Sequence, residues 1–343
     1  MRHDNGPALA MRPPDRSSRL FVLAPRARGS DGQWRLDHGR VDKLPDVLQR
    51  TSRVEEELAA RLAAFEQLRS SANYPYLSAA EVRESGVYGG QQGVWVDKAR
   101  TSALLPSGVA VGLRHTGRHY ADDLDETGVV YHYPKTRRPS ARDRGEVDAI
   151  KAAEDLRLPV FVVAEAGASR RVHMGWVVEH DDTAGIALVL FGDQELAELR
   201  PQPETTDVFV RGAERRRRRS IATRLERDPT FAFHAMRKYE GRCALTGIRV
   251  PDMLEAAHVV PVASGGSDHD GNAILLNAAL HRAFDALLWT IHPRTLQVHV
   301  RGQGPAPVDM RIEQLNLTDR PRPASEALEW RMDQFVGKWG SNV

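Results

Sequence analysis

The chain has 343 residues, of which 41% are hydrophobic and 27% charged, a composition typical of a globular protein large enough for two domains. No segment approaches the roughly 20 apolar residues of a membrane span and the N-terminus carries no secretory signal, so we expect a cytoplasmic protein without a membrane partner. The single cysteine, Cys243, excludes an intrachain disulfide and an all-thiolate zinc cluster, so a metal site would need histidine and carboxylate ligands.

The first 74 residues are expected to precede the first domain. Residues 1–19 are polar and are predicted to be disordered, and the following extension, residues 20–74, begins with one or two short strands. From about Pro45 to Arg69 the apolar residues recur at helical spacing, opposite a run of glutamates. This apolar stripe can pack on its own domain or pair with a second copy of the chain. It consists of Val54, Leu58, Leu62 and Phe65.

A mainly β domain is predicted over residues 75–200, where glycine and proline recur between short apolar runs. One helix, over residues 145–156, is expected to cover one face or end of the sheet. The predicted strands are residues 93–96, 109–113, 129–133, 160–164, 172–178 and 186–191.

A basic linker follows over residues 201–229 and is predicted to contain a helix that continues beyond a break near Pro229. The second domain is predicted over residues 230–300. A C-terminal extension, residues 301–343, is expected to end with a helix over residues 325–339.

The overall charge of +2 conceals an uneven distribution. Between Arg211 and Arg242 there are eleven Lys or Arg residues and four acidic ones, a local excess of 11 − 4 = +7. Such a segment is either a solvated linker helix or a surface that neutralises nucleic-acid phosphates and releases counterions. The candidate contacts to a DNA backbone in this segment are Arg215, Arg216, Arg217, Arg218 and Arg219.

The segment that follows combines two histidines and an asparagine at a spacing that suits phosphodiester cleavage. It reads LEAAHVVPVASGGSDHDGNAILLNAALHRAFD over residues 254–285. The valines after His258 predict a strand, Ser264 to Ser267 a tight loop, and Ile274 to Asp285 a helix. A histidine on a strand can deprotonate water, an asparagine can fix a loop, and a histidine on a helix can bind a divalent cation.

This segment resembles the HNH endonuclease family, whose fold is a ββα-metal unit, and in particular its branch with the pattern AAH, GG, N, LL, LHRAFD and no zinc-binding cysteines. The resemblance covers about residues 239–293. It implies that His258 is the general base, that Asn272 fixes the loop and that His281 is a metal ligand. The implied cofactor is one divalent metal ion, with Mg²⁺, Mn²⁺, Co²⁺, Ni²⁺ and Zn²⁺ all open.

Many members of that family have an aspartate immediately before the first histidine as a second metal ligand, and here the position is Ala257. Asp285 lies four residues after His281, on the same helix face, and is the best substitute. Glu255 lies three residues before His258, so on a strand the two side chains would point to opposite faces. By this strand parity, Glu255 is the weaker candidate. Asp268 and its neighbours in the loop are expected to be solvated or to face phosphate. The alternative is that both histidines are ordinary core or capping residues.

Residues 112–134, GLRHTGRHYADDLDETGVVYHYP, place tyrosines among histidines and carboxylates. Aromatic rings can stack on a base, and a carboxylate can accept a hydrogen bond from the cytosine amine. The segment resembles the SRA domain, a PUA-like β-barrel that flips 5-methylcytosine out of the duplex. The resemblance implies that Tyr120 and Tyr133 sandwich the base and that Asp123 binds its Watson–Crick edge. Arg114 and Arg118 are candidate phosphate contacts, or belong to a solvated strand edge. In the alternative reading, the tyrosines belong to the barrel core.

Together these features predict an α+β protein with an N-terminal SRA/PUA-like β-barrel, a helical linker and a C-terminal ββα-metal HNH nuclease domain. The predicted activity is that of a type IV, modification-dependent restriction endonuclease acting on methylated double-stranded DNA. Because one HNH unit cuts one strand, we expect a homodimer. Two other readings stay open: a nuclease that reads 5-hydroxymethylcytosine or phosphorothioate, and an inactive protein that only binds modified DNA.

Overall fold

The computed structural model describes residues 26–28, 34–36, 44–90, 93–116, 124–135, 140–192 and 228–340. Two compact units are present, residues 1–51 and 52–343. The first contains an antiparallel pair of short strands, as the sequence predicts, and the start of the first helix. These elements are β1 (Arg26–Arg28), β2 (Trp34–Leu36) and α1 (Leu44–Arg69). The predictions for residues 1–19 and for a helix within residues 201–227 lie outside the described residues.

A six-stranded sheet dominates the second unit, with the order β3-β4-β6-β7-β8-β5. Strands β4 and β6 pair in parallel and the other neighbours are antiparallel. Among the described residues the sheet is open, with β3 and β5 at its edges, so the predicted barrel is not seen and the SRA-like assignment stays a prediction. The strands are β3 (Val94–Val96), β4 (Ala110–His115), β5 (Gly128–His132), β6 (Val160–Ala166), β7 (Ser169–Asp181) and β8 (Ile186–Phe191).

Helices cover both faces of this sheet. Successive side chains of a strand point to opposite faces, and these strands carry apolar residues on both. Helix α4 (Ser140–Asp155) packs Ile150 on the face that carries Val160, and it begins five residues earlier than the sequence predicts. Helix α1 packs Phe65 on the opposite face, beside Phe161. The apolar stripe of α1 therefore packs within its own chain. Two short helices, α2 (Ala79–Glu84) and α3 (Lys98–Thr101), complete this part.

The C-terminal part begins with helix α5 (Pro229–Lys238), which has proline at its first turn and is capped by the Asp228 side chain. It continues through β9 (Leu254–His258), β10 (Ala273–Asn277), α6 (Ala278–Asp285), β11 (Trp289–Ile291), β12 (Val298–Val300) and α7 (Ser325–Trp339). Strands β9 and β10 are antiparallel, and His258 pairs with Ala273. Within the described ranges no helix is long and apolar enough to cross a membrane.

Two boundaries in this region differ from the sequence prediction. The first strand ends at His258 instead of following it, and residues 274–277, predicted as the start of a helix, belong to strand β10 (Ala273–Asn277). A short apolar run such as Ile274 to Leu276 has no periodicity that separates a buried strand from a helix. Pairing with β9 decides for the strand, and helix α6 begins where the Asn277 side chain accepts a hydrogen bond from Leu280 N at 2.9 Å.

The sheet and the C-terminal part share one hydrophobic core. Trp176 and Leu188 of the sheet belong to the same buried cluster as Phe233 of α5, Leu275 of β10 and Phe284 of α6. Helix α5 lies between the two parts. The C-terminal part is therefore packed directly on the sheet.

Candidate active site

His258 is the last residue of β9, and its ring is held from two directions. One face stacks on Phe231 of α5, with ring centroids 3.9 Å apart and an interplanar angle of 4°. Its Nε2 lies 2.9 Å from Oδ1 of Asp268. Asp268, expected to be solvated or to face phosphate and not to bind the metal, has its carboxylate within hydrogen-bond distance of the histidine. The loop between β9 and β10 folds Asp268 back onto the strand end.

Asn272 closes that loop from inside. Its side-chain amide donates to the carbonyl oxygens of Val260 and Ser267, each at 2.9 Å, and its Oδ1 accepts from Val260 N at 2.8 Å. The residue is fully buried. Three hydrogen bonds to backbone groups fix the loop at both ends, which is the arrangement that the predicted loop-fixing role requires.

Gly266 lies where this loop passes closest to the strand end. A Cβ at this position would lie 1.8 Å from the Val260 carbonyl oxygen and 2.9 Å from Nδ2 of Asn272. The carbonyl oxygen belongs to the backbone and accepts one of the bonds from Asn272, so it cannot move aside without breaking the loop.

We therefore expect Gly266→Ala to lower the free energy of unfolding by about 3 kcal/mol, as overpacking does in a closely packed site. Urea unfolding of the full chain measures the effect. Gly145→Ala is the matched control, because a Cβ there meets nothing within 4 Å and a helical glycine gains stability on replacement by alanine. Equal unfolding midpoints for wild type and Gly266→Ala would show that the loop tolerates the methyl group.

His281, on the first turns of α6, has a carboxylate beside each ring nitrogen. Glu255 Oε2 lies 2.6 Å from Nδ1, and Asp285 Oδ2 lies 3.5 Å from Nε2. Glu255 does face away from His258, as strand parity predicts, but α6 packs across that face and brings His281 to it. The distances show that Glu255 is the nearer carboxylate to His281, while the ranking of Asp285 above Glu255 as the second metal ligand stays a prediction. Glu255 is also the more buried of the two acids, 22% exposed against 59% for Asp285.

The chemistry of these donors fits a divalent cation, since imidazole nitrogen and carboxylate oxygen are ordinary ligands of such ions. Within the described residues, no group of three or more His, Cys, Asp or Glu side chains is arranged to hold a metal ion. Glu255 and Asp285 approach different nitrogens of the His281 ring. A cation at His281 would therefore have one of these two carboxylates beside it.

The comparison with known families bears directly on this arrangement. Residues 243–292 match the HNH endonuclease family. The chain carries an HNH endonuclease domain. This match includes His258, Asn272 and His281 together with their partners Glu255, Asp268 and Asp285.

Two solved structures align with most of the chain at low identity. One is a modification-dependent restriction endonuclease, TagI, with 17% identity over 76% of this chain and 91% of that chain, and a TM-score of 0.31. The other is the type IV phosphorothioation-dependent restriction endonuclease ScoMcrA, with 12% identity over 82% of this chain and 63% of that chain, and a TM-score of 0.25. No curated protein sequence matches the chain.

A charged cluster beside the HNH domain was not predicted from the sequence. His234 of α5 lies between Asp270, whose Oδ1 is 3.1 Å from Nδ1, and Glu179 of β7, whose Oε2 is 3.7 Å from Nε2. Burial alone lowers the pKa of His234, but the hydrogen bonds to Asp270 and Glu179 outweigh it and raise this pKa to about 9. His234 is therefore protonated at neutral pH. The acids come from distant parts of the chain, so no sequence spacing could reveal the cluster.

The structure describes only part of the predicted base-reading set. The hydroxyl of Tyr133 lies 3.1 Å from Asp182 Oδ1, and burial is the main cause that raises its pKa. Arg114 is paired with Glu165 at 2.6 Å. The remaining candidates lie outside the described residues: Tyr120, Asp123, Arg118 and Arg215 to Arg219.

A cavity of about 220 Å³ opens where strand β8 ends. Its walls include the stacked rings of His173 and Phe191, 4.5 Å apart, and the carboxylate residue Glu126, which lies within the segment 112–134 that is predicted to read the base. Burial lowers the pKa of His173 to about 4, so its imidazole is neutral at neutral pH. The lining thus combines aromatic surface with a carboxylate, the chemistry suited to a planar polar group.

Proposed function

We propose that this protein is a modification-dependent DNA endonuclease in which the HNH domain hydrolyses a phosphodiester bond and the sheet domain reads a modified cytosine. The observation that carries the proposal is the HNH match over residues 243–292, within which His258 contacts Asp268, Asn272 closes the loop and His281 contacts Glu255. The enzyme would act in the cytoplasm, on DNA marked as foreign by its modification.

His258 is the general base of the proposed reaction. Asp268 accepts a hydrogen bond from Nε2–H, so the lone pair is on Nδ1 and can take the proton of an attacking water. Phe231 and Asp268 fix the ring, and Asn272 fixes the loop that carries Asp268. His281 and Glu255 would hold the divalent ion, with Asp285 as the alternative carboxylate. When bound, the ion supplies positive charge that stabilises the phosphate and the leaving oxygen.

The sheet domain is proposed to bind 5-methylcytosine that has been flipped out of the duplex. Tyr120 and Tyr133 would stack on the base and Asp123 would bind its polar edge. Glu126, three residues after Asp123, lines the cavity at the end of β8, whose walls offer further aromatic surface. Arg114, Arg118 and the arginine run 215–219 would contact the DNA backbone. Cleavage of both strands would require two copies of the chain, so the active form is proposed to be a homodimer.

Digestion of matched duplexes tests the proposal. The duplexes carry cytosine, 5-methylcytosine, 5-hydroxymethylcytosine or a phosphorothioate at one site, and each is incubated with Mg²⁺, Mn²⁺, Co²⁺, Ni²⁺ or Zn²⁺ in turn. We expect cleavage of the 5-methylated duplex with at least one ion and none of the unmodified one. Preferred cleavage of another duplex would reassign the mark. Binding without cleavage under every ion would identify an inactive reader, and equal cleavage of all duplexes would refute modification dependence.

A further inference from the structure

Helix α5 contacts both the sheet and the catalytic loop. On the sheet side, Arg237 donates to the Glu179 carboxylate of β7, and His234 lies beside the same carboxylate. On the loop side, His234 pairs with Asp270, and Lys238 Nζ donates to the Asp270 carbonyl oxygen at 2.8 Å. One helix thus ties a single strand of the sheet to the loop between β9 and β10.

The same helix reaches the general base directly. Phe231, 4% exposed, stacks on His258, and the neighbouring turn packs Ala235 against Ala273 of β10. Asp270 begins the single 3₁₀ turn that ends at Asn272, the residue that closes the loop. A shift of α5 on the sheet would therefore move two things together: the Phe231 ring that stacks on His258, and Asp270, through which the loop between β9 and β10 contacts α5.

A β-bulge in β7 directs Glu179 toward this helix. The strand register shifts between Val177 and Glu179, so Val178 is an extra residue relative to β8. Val178 packs in the core shared with α5, and Glu179 also reaches α5, whereas His180 turns to the other face and pairs with Glu154 of α4. Two successive side chains on one face are possible only because the bulge interrupts the alternation of the strand.

The exposure of these ion pairs indicates that they position the helix and the loop and do little to stabilise the fold. Glu179 is 35% exposed and Asp270 47% exposed, and ion pairs at such sites contribute little to the free energy of folding. Their effect on the reaction rate can be larger, because a small displacement of catalytic groups is enough to slow a reaction.

We propose that α5 couples the sheet domain to the nuclease site, with Glu179 and His234 as positioning residues that set His258 and its loop in the geometry required for cleavage. The inference rests on the proposed role of His258. It predicts that reading and cutting are not separable functions of two loosely tethered domains, because the helix that supports the general base is itself anchored on the sheet.

The test uses the full chain, the duplex that the wild type cleaves, and Glu179→Gln. Rates are measured in single turnover at saturating enzyme, and DNA affinity is measured separately in EDTA. We expect a rate about tenfold lower, as for a displaced catalytic group, with a Kd within about twofold of wild type. His234→Gln should have a similar effect. The double variant should be no slower than either single one, since both residues act through one network.

Glu154→Gln is the matched control. It removes the carboxylate of the other histidine–glutamate pair on β7, His180 with Glu154 at 2.6 Å, whose contact lies on the α4 side. This variant should cleave at the wild-type rate. If Glu179→Gln also cleaves at the wild-type rate, the coupling is refuted while the nuclease function stands.

Hydrogen exchange gives a readout that does not depend on cleavage. The amide of Val260, which donates to Asn272 Oδ1, should exchange faster in Glu179→Gln than in Glu154→Gln, because α5, which contacts the loop through His234 and Lys238, loses its contact with the Glu179 carboxylate. Equal protection in the two variants would overturn the coupling even if no duplex were cleaved. Absence of cleavage by the wild type, by contrast, would count against the proposed function alone.

Discussion

Replacing His258 by alanine should lower the rate of DNA cleavage by about three orders of magnitude, the effect of removing a general base. DNA affinity measured in EDTA should remain close to that of the wild type, because the ring is largely enclosed by Phe231 and Asp268. Single-turnover cleavage and fluorescence anisotropy measure the two quantities. Cleavage by His258→Ala at the wild-type rate would remove this residue from the mechanism.

Two further variants sharpen that experiment. Asp268→Asn should reduce the rate by at least about tenfold, because an amide no longer fixes the tautomer that leaves Nδ1 free to accept a proton. His299→Ala, on β12, is the matched control, since the ring contact of this residue is with His292. A wild-type rate for Asp268→Asn would show that the loop carboxylate has no part in orienting the base.

The second large effect concerns the carboxylate that accompanies His281. Glu255→Gln should weaken Mn²⁺ binding and slow Mn²⁺-supported cleavage, each by at least about a hundredfold, since even residues behind a ligand often cost that much. Asp285→Asn should change either quantity by less than about threefold, because this acid is more distant from the ring and more exposed. Isothermal titration with Mn²⁺ and a cleavage assay at varied Mn²⁺ measure both.

The two carboxylates provide matched controls for each other. Both variants replace one negative charge by an isosteric amide next to the same histidine, so a general loss of charge would affect them equally. If Asp285→Asn had the larger effect, Asp285 would be the metal ligand, as the sequence spacing favours. Equal and small effects would mean that neither side chain binds the ion.

The sequence was most informative where function requires particular residues at fixed local spacing. His258, Asn272 and His281 were all recognisable because they belong to one strand, loop and helix, and the HNH family match covers them. The elements of the sheet could also be located from their apolar runs. The way they assemble could not be located in this way, because strand order depends on contacts between segments far apart in the chain; among the described residues the sheet is open and the predicted barrel is not seen.

Local patterns failed where two elements had to be placed against each other. Strand parity correctly put Glu255 on the face opposite His258, but it contained no information on which helix covers that face. The apolar run before Asn277 was consistent with helix or strand until its partner β9 was known. Strand parity therefore gave an incomplete answer for Glu255, and the helix predicted over residues 274–277 was wrong.

By itself the sequence identified the candidate side chains for accepting a proton, holding a loop and binding a cation. Only the tertiary structure decided which partners those side chains have. Asp268 meets His258 through a loop closure, Glu255 meets His281 through the packing of α6, and Glu179 meets His234 through a bulge in β7. The physical reason is that hydrogen bonds and ion pairs act over a few ångströms in space, whatever the distance along the chain.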